Sequence, residues 1–202
     1  MHKKNKSIVI ATHNKHKEVE ITNLFSDIKI DVLSLYNFSN IGEIEETGKT
    51  LLENSLIKAR KVHQITGLPA LADDTGLEVD LLDGAPGVYS ARFAGPNVTY
   101  SDNINKLLLD LSKYQNEKDR KARFKTVISY IDDNTELTDI GIVEGYITLK
   151  KYGKNGFGYD PIFRPRNHKK TFAEMNEFEK GKISHRGLAL KKIKSKIKDI
   201  YK

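Results

Sequence analysis

The chain has 202 residues, with 34 lysines and arginines against 27 aspartates and glutamates, and no cysteine. That length can bury one sizeable core or two small lobes, and the missing cysteine excludes disulfides and cysteine–metal sites. A net charge of +7 raises nucleic-acid binding as an alternative class. No RNA- or DNA-binding fingerprint accompanies that charge, so no stable nucleic-acid partner is expected. Met1–Ser7 is basic and polar, and the apolar run after it is too short for a signal peptide or a membrane span. The expected location is cytoplasmic, with no membrane partner.

The β-branched run Ile8–Ala11 predicts a buried strand. It breaks into Thr12, His13 and Asn14 before a helix over Lys15–Phe25, with Val19, Ile21, Leu24 and Phe25 as its apolar stripe. Such a strand–turn–helix start offers backbone N–H groups and a helix N-terminus to an anion, and Lys15 and Lys17 add positive charge. The Walker A spacing is absent, and Thr12 or Asn14 equally suits an ordinary helix cap. A strand over Ile30–Leu35 and a loop follow. Thr50 and Glu53 form a capping-box pattern, so a helix is expected over Thr50–Thr66. Leu52, Leu56, Ala59 and Val62 can face a core, whereas Asn54 and Lys58 share a face that spacing alone reads as an exposed polar stripe. Glu46 falls in the loop before this helix, placed to point at a metal.

Strands are expected near Ala70–Asp73 and Leu77–Asp80, with Asp73 and Asp74 delivered to the turn between them. Paired acids suit a hard cation such as Mg²⁺, which takes oxygen ligands from one or two carboxylates plus phosphate. Asp, Thr and Gly also make ordinary solvated turns. Asp83–Gly87 reads as a turn, and Ser101–Lys113 as a helix with Ile104, Leu107, Leu108 and Leu111 on its apolar face. Ala122–Ile131 and Leu137–Leu149 read as a long antiparallel strand pair. In Gly156–Pro161 two aromatics alternate with glycines ahead of Asp160; a ring there can stack on a base, or simply staple a loop. The last helix is expected over Ser184–Ile200, capped by Ser184. A helix N-terminus disfavours cations, so His185 and Arg186 in its first turn hint at an anionic or carbonyl-bearing ligand. Ile193, Ile197 and Ile200 recur at helical spacing with lysines between them, a face that suits packing on the body or, alternatively, a membrane surface. Strands mixed with helices argue for an α/β chain with a mixed sheet.

Taken together, six ordered motifs resemble the inosine triphosphate pyrophosphatase family. They are Ala11–Lys17, Glu46–Ala59, Ala72–Asp80, Gly84–Gly95, Gly156–Pro161 and Ile183–Gly187. The chain departs from the family pattern at Thr75, where serine is usual, at Leu51 and Leu52, where phenylalanine is common, and at Ser55, where alanine is usual. The resemblance implies one nucleoside-triphosphate pyrophosphatase domain over 1–202, with two lobes on an elongated mixed central sheet and the active cleft between them. It also implies a homodimer.

The implied reaction is Mg²⁺-dependent hydrolysis, with Mn²⁺ as a possible substitute, of non-standard purine nucleoside triphosphates (ITP, dITP, XTP) to monophosphate and pyrophosphate. Asp74 would be catalytic and, with Glu46, bind the metal, with Asp73 and Glu53 as lesser candidates. Thr12, Asn14, Lys17 and Lys58 would hold the triphosphate, and His13, Lys15, His16 and Thr75 would be further substrate-binding residues. Phe157 would stack on the purine, with Gly158 and Tyr159 as further substrate-binding residues. Asp160, Lys180, His185 and Arg186 would line the base pocket, where donors favour a 6-oxo group over adenine's 6-amino group. A related enzyme for modified pyrimidine nucleotides and a basic nucleic-acid binder are the alternatives.

Overall fold

The computed structural model describes residues 7–201, so all of the basic leader Met1–Ser7 except Ser7 lies outside the described residues. The strands are β1 (Ser7–Ile10), β2 (Asp31–Ser34), β3 (Ala70–Val79), β4 (Pro86–Gly87), β5 (Lys121–Ile131), β6 (Glu136–Ile147) and β7 (Phe163–Pro165). The α-helices are α1 (Lys15–Phe25), α2 (Leu51–Thr66), α3 (Tyr100–Asp110), α4 (Glu177–Ile183) and α5 (His185–Ile200). The expected mixed α/β class is borne out.

The chain forms two compact units. Among the described residues, the first contains those up to Asp74, Thr126–Gly141 and those from Arg186; the second contains Thr75–Lys125 and Ile142–His185.

In the first unit the sheet order is β2-β1-β3-β5-β6, with β1 parallel to both β2 and β3. Asp132–Thr135 join β5 to β6 in a tight turn, Asp132 N–H donating to Thr135 O at 3.0 Å, which only an antiparallel pair allows. Strand alternation divides two cores. Ile8, Ile10 and Leu71 pack with Ile21 and Phe25 of α1 and with Leu190, Ile193 and Ile197 of α5. Val9, Ala11, Ala70 and Ala72 pack with Ala59 and Val62 of α2. Each fully buried Leu or Ile contributes about 1.5–3 kcal/mol. The isoleucines of α5 therefore face the core as expected, while Lys194 and Lys196 pair with Asp27 and Asp139. On α2 the buried leucine is Leu51, not Leu52, which is 39% exposed. Thr50 caps α2 in the expected capping box with Glu53.

In the second unit β3, β5, β6 and β7 lie in that order, β7 antiparallel to β6 and β4 antiparallel to β3. Their core gathers Leu77, Val79, Phe124, Ile147, Ile162, Phe163 and Phe172 with Ile104, Leu107 and Leu111 of α3.

Three expectations need correction. The two short strands around the paired acids are one strand, β3. Gly76 continues it because β4 runs against it: Leu77 pairs with Gly87, and a β-carbon at Gly76 would lie 2.6 Å from Gly87 O. Asp73 and Asp74 therefore sit within a buried strand and not at a turn. Asn54 and Lys58 are no exposed stripe, being 0% and 8% exposed. Finally, the last helix is preceded by α4, whose Asn176–Glu179 capping box went unread.

Candidate active site

Alternation along β3 gives the two acids different neighbours. Asp74 follows Ala70 and Ala72 onto the α2 side; Asp73 follows Leu71 onto the side of α1 and α5. Asp73 is salt-bridged to Lys17 of α1 at 3.1 Å and to Arg186 Nε of α5 at 3.1 Å. Glu20, one turn beyond Lys17, takes the Arg186 Nη1. Asp74 Oδ1 lies 3.3 Å from Lys58 Nζ, which also donates to Glu46 Oε1 at 2.7 Å. Ser55 Oγ, donating to Ala72 O at 3.2 Å and contacting Ser129 Oγ at 2.8 Å, ties α2 to the strand just before the acids.

The electrostatics separate the acids further. Burial alone would raise the Asp73 carboxyl, but Lys17, Arg186 and Lys58 outweigh it and hold the group well below the usual carboxylate range. Burial pushes Asp74 up, against the pull of Lys58 and with help from Glu46. Burial also lowers the Lys17 ammonium, which Asp73 only partly restores. Lys58 is raised because Asp74, Asp73 and Glu46 overcome its burial. Asp73 is thus a fixed anion bracing two helices, and Asp74 is the acid with appetite for a proton.

The sign for stability follows for Asp73. A depressed carboxyl stabilises the fold at pH above its unfolded value, near 3.8, and that contribution is lost as pH falls below it. Denaturant unfolding of wild type and Asp73→Asn should therefore differ most above about pH 4 and converge at lower pH. A gap independent of pH would contradict this role.

The residues fit a hard cation. Asp74 Oδ2 is buried and meets no hydrogen-bond partner among the described residues, and Glu46 brings a second carboxylate to the same ammonium. Among the described residues no three His, Cys, Asp or Glu side chains form a protein-only cage. Magnesium is commonly held by one or two carboxylates with the rest from phosphate and water. Glu53 is engaged elsewhere: its Oε2 accepts from Lys49 N–H and Thr50 N–H.

The turn before α1 is built as a cap. Asn14 Oδ1 accepts from the His16 and Lys17 amides, and Asn14 N–H donates to Thr12 Oγ1. Tyr36, which the sequence reading missed, donates to His13 O at 3.0 Å and lies under the Lys15 ammonium. His16 is exposed.

In the second unit Asp160 Oδ2 accepts from Phe157 N–H and Lys180 Nζ, both at 2.8 Å, and the Lys180 ammonium lies 4.9 Å from the Phe157 ring centre. Phe157 and Thr75 are half-buried. Tyr159 is buried in the core with its hydroxyl on Ser90 O, a staple for the loop that Gly158 shares. His185 is buried, stacked on Phe124 at 4.4 Å.

The sequence-predicted residues therefore assemble into three groups: Glu46, Lys58 and Asp74; Lys17, Asp73 and Arg186; and Phe157, Asp160 and Lys180. Arg186 is 1% exposed, with its Nε on Asp73 and its Nη1 on Glu20. Glu20 went unread as a site residue, although its three-residue spacing from Lys17 puts both on one helix face. Asn54 reads from spacing as part of an exposed stripe because polar residues at helical spacing usually face water.

The Ham1 family model matches residues 8–196. A dITP/XTP pyrophosphatase from Thermoanaerobacter pseudethanolicus is 50% identical over 190 residues, covering 94% of this chain and 96% of that protein. Another from Vibrio cholerae is 47% identical over 191 residues, covering 93% and 94%. The solved structure of a HAM1 protein from Coxiella burnetii superposes with a TM-score of 0.87 at 43% identity, covering 96% of this chain and 98% of that one.

Proposed function

The chain belongs to the Ham1 family, and from that premise we propose that it hydrolyses non-standard purine nucleoside triphosphates such as dITP, ITP and XTP to monophosphate and pyrophosphate, using Mg²⁺. The substrate class rests on relatives that are dITP/XTP pyrophosphatases. The chemistry rests on one observation: of two adjacent acids, Asp73 is braced by cations while Asp74 keeps a buried, unpartnered oxygen and a raised proton affinity.

In this reading Asp74 accepts a proton from the water that attacks the α-phosphorus. The new bond is from water oxygen to phosphorus; the bond that breaks joins that phosphorus to the departing pyrophosphate. Asp74 and Glu46 would hold the Mg²⁺, whose chemistry when bound is neutralisation of phosphate charge and acidification of water. Lys58, bonded to Glu46 and 3.3 Å from Asp74, adds positive charge for the triphosphate. The N-terminus of α1, whose His16 and Lys17 amides are capped by Asn14, adds the positive end of a helix dipole for an anion. Phe157 remains the candidate for stacking on a purine. A homodimer is the expected assembly, and no described helix is long and apolar enough to cross a membrane.

The test is pyrophosphate release from ITP, XTP, dITP, GTP and ATP, with Mg²⁺ and with EDTA. Release from ITP, dITP and XTP well above ATP, abolished by EDTA and restored by Mg²⁺ or Mn²⁺, is the expected result. Undiminished release in EDTA would rule out the metal reading, and equal rates on ITP and ATP the specificity.

A further inference from the structure

Asn54 lies one turn before Lys58 on α2 and is completely buried. Its Oδ1 accepts from Gly48 N–H at 2.8 Å, which fixes the orientation of the amide. Its Nδ2 is left buried with no hydrogen-bond partner among the described residues. A buried donor without a partner is costly, so the other end of the side chain must matter to the fold or to the site. Beside it, Glu53 Oε2 holds the next two amides, Lys49 N–H at 2.6 Å and Thr50 N–H at 3.0 Å. Two neighbouring side chains of α2 thus grip three consecutive amides. The fit is close: a β-carbon at Gly48 would lie 2.6 Å from both Asn54 Oδ1 and Glu53 Cβ. Two residues upstream stands Glu46, in a stretch from 41 to 48 with no regular secondary structure to hold it.

We propose that Asn54 is a positioning residue for Glu46, clamping the loop through Gly48 so that the Glu46 carboxylate stays beside Lys58 and Asp74. The contacts close a ring: Asn54 to Gly48, along the backbone to Glu46, from Glu46 to Lys58 at 2.7 Å, and back along one turn of α2. Asn54 touches neither substrate nor metal in this role. It reduces the freedom of a carboxylate that would otherwise have to be ordered when the cation binds. The inference rests on the Mg²⁺ reading above.

Mn²⁺ alone, titrated into the full chain and followed by electron paramagnetic resonance, is the probe. Asn54→Ala and Gly48→Ala should each weaken Mn²⁺ binding roughly 10–100-fold, the usual cost of losing support behind a metal ligand. The Mg²⁺ concentration for half-maximal activity should rise by a similar factor, with kcat at saturating Mg²⁺ nearly unchanged. Because both variants break the Gly48–Asn54 contact, their effects on Mn²⁺ affinity should be less than additive. Circular dichroism establishes folding. Gly48 lies on a partly exposed loop, so its variant decides the matter should Asn54→Ala not fold. Wild-type Mn²⁺ affinity in the folded variants, or a fall in kcat with metal affinity intact, would overturn the clamp. A wild-type chain that releases no pyrophosphate would instead overturn the proposed function.

Discussion

Asp74→Asn is expected to lower kcat for ITP by roughly 10²–10⁴-fold, the range for losing a positioned acid–base group, while leaving the fold intact. The fold survives because the amide oxygen can still accept from Lys58, which also keeps Glu46 as a partner. On the proposed function, what is lost is the proton acceptor and one oxygen for the cation. Asp73→Asn should behave differently, because Asp73 braces Lys17 and Arg186; its cost falls on stability first. Steady-state kinetics with melting curves separate the two. Near-normal turnover in folded Asp74→Asn would remove Asp74 from the reaction.

Arg186→Ala is expected to destabilise the chain by about 3–5 kcal/mol, the cost of breaking a buried ion pair by deleting one partner, with a fall in Tm of about 6–20 °C. The guanidinium is buried among Asp73 and Glu20. Removing it takes one counter-charge from Asp73 and one from Glu20, and leaves a cavity besides. Activity should fall alike on ITP and ATP, since the damage passes through Asp73 and not through the base. A variant that melts like wild type and loses activity on ITP and XTP but not on ATP would restore Arg186 as the reader of the 6-oxo group. Arg186→Lys should not rescue stability fully, because one ammonium cannot reproduce the planar fork that meets two acids.

Local pattern was enough for much of the fold. The span of α1, the Thr50–Glu53 cap of α2, the apolar face of α3 and the isoleucine seam of α5 were legible, because each depends on contacts three or four residues apart. The same holds for the residue types of the site: adjacent acids after an apolar run, lysines near helix starts, and aromatics among glycines. The errors fell where a distant segment decides the outcome. The Asp73–Asp74 pair reads as a turn until β4 is seen to run along β3, with Gly87 against Gly76. Asn54 and Lys58 read as a solvent face until β3 and the 46–48 loop cover them.

The sequence by itself determined that two acids stand next to each other, and with them the family, since ordered motifs survive without coordinates. Only the tertiary structure decided which acid is braced by cations and which keeps a buried oxygen without a hydrogen-bond partner. Neighbours on a strand point to opposite faces, and what lies on each face comes from elsewhere in the chain. Lys17 and Arg186 reach Asp73 from α1 and α5, whereas Lys58 and Glu46 reach Asp74 from α2 and its loop. Partners so far apart in sequence set the charge and proton affinity of each carboxyl, and no spacing rule along the chain encodes them.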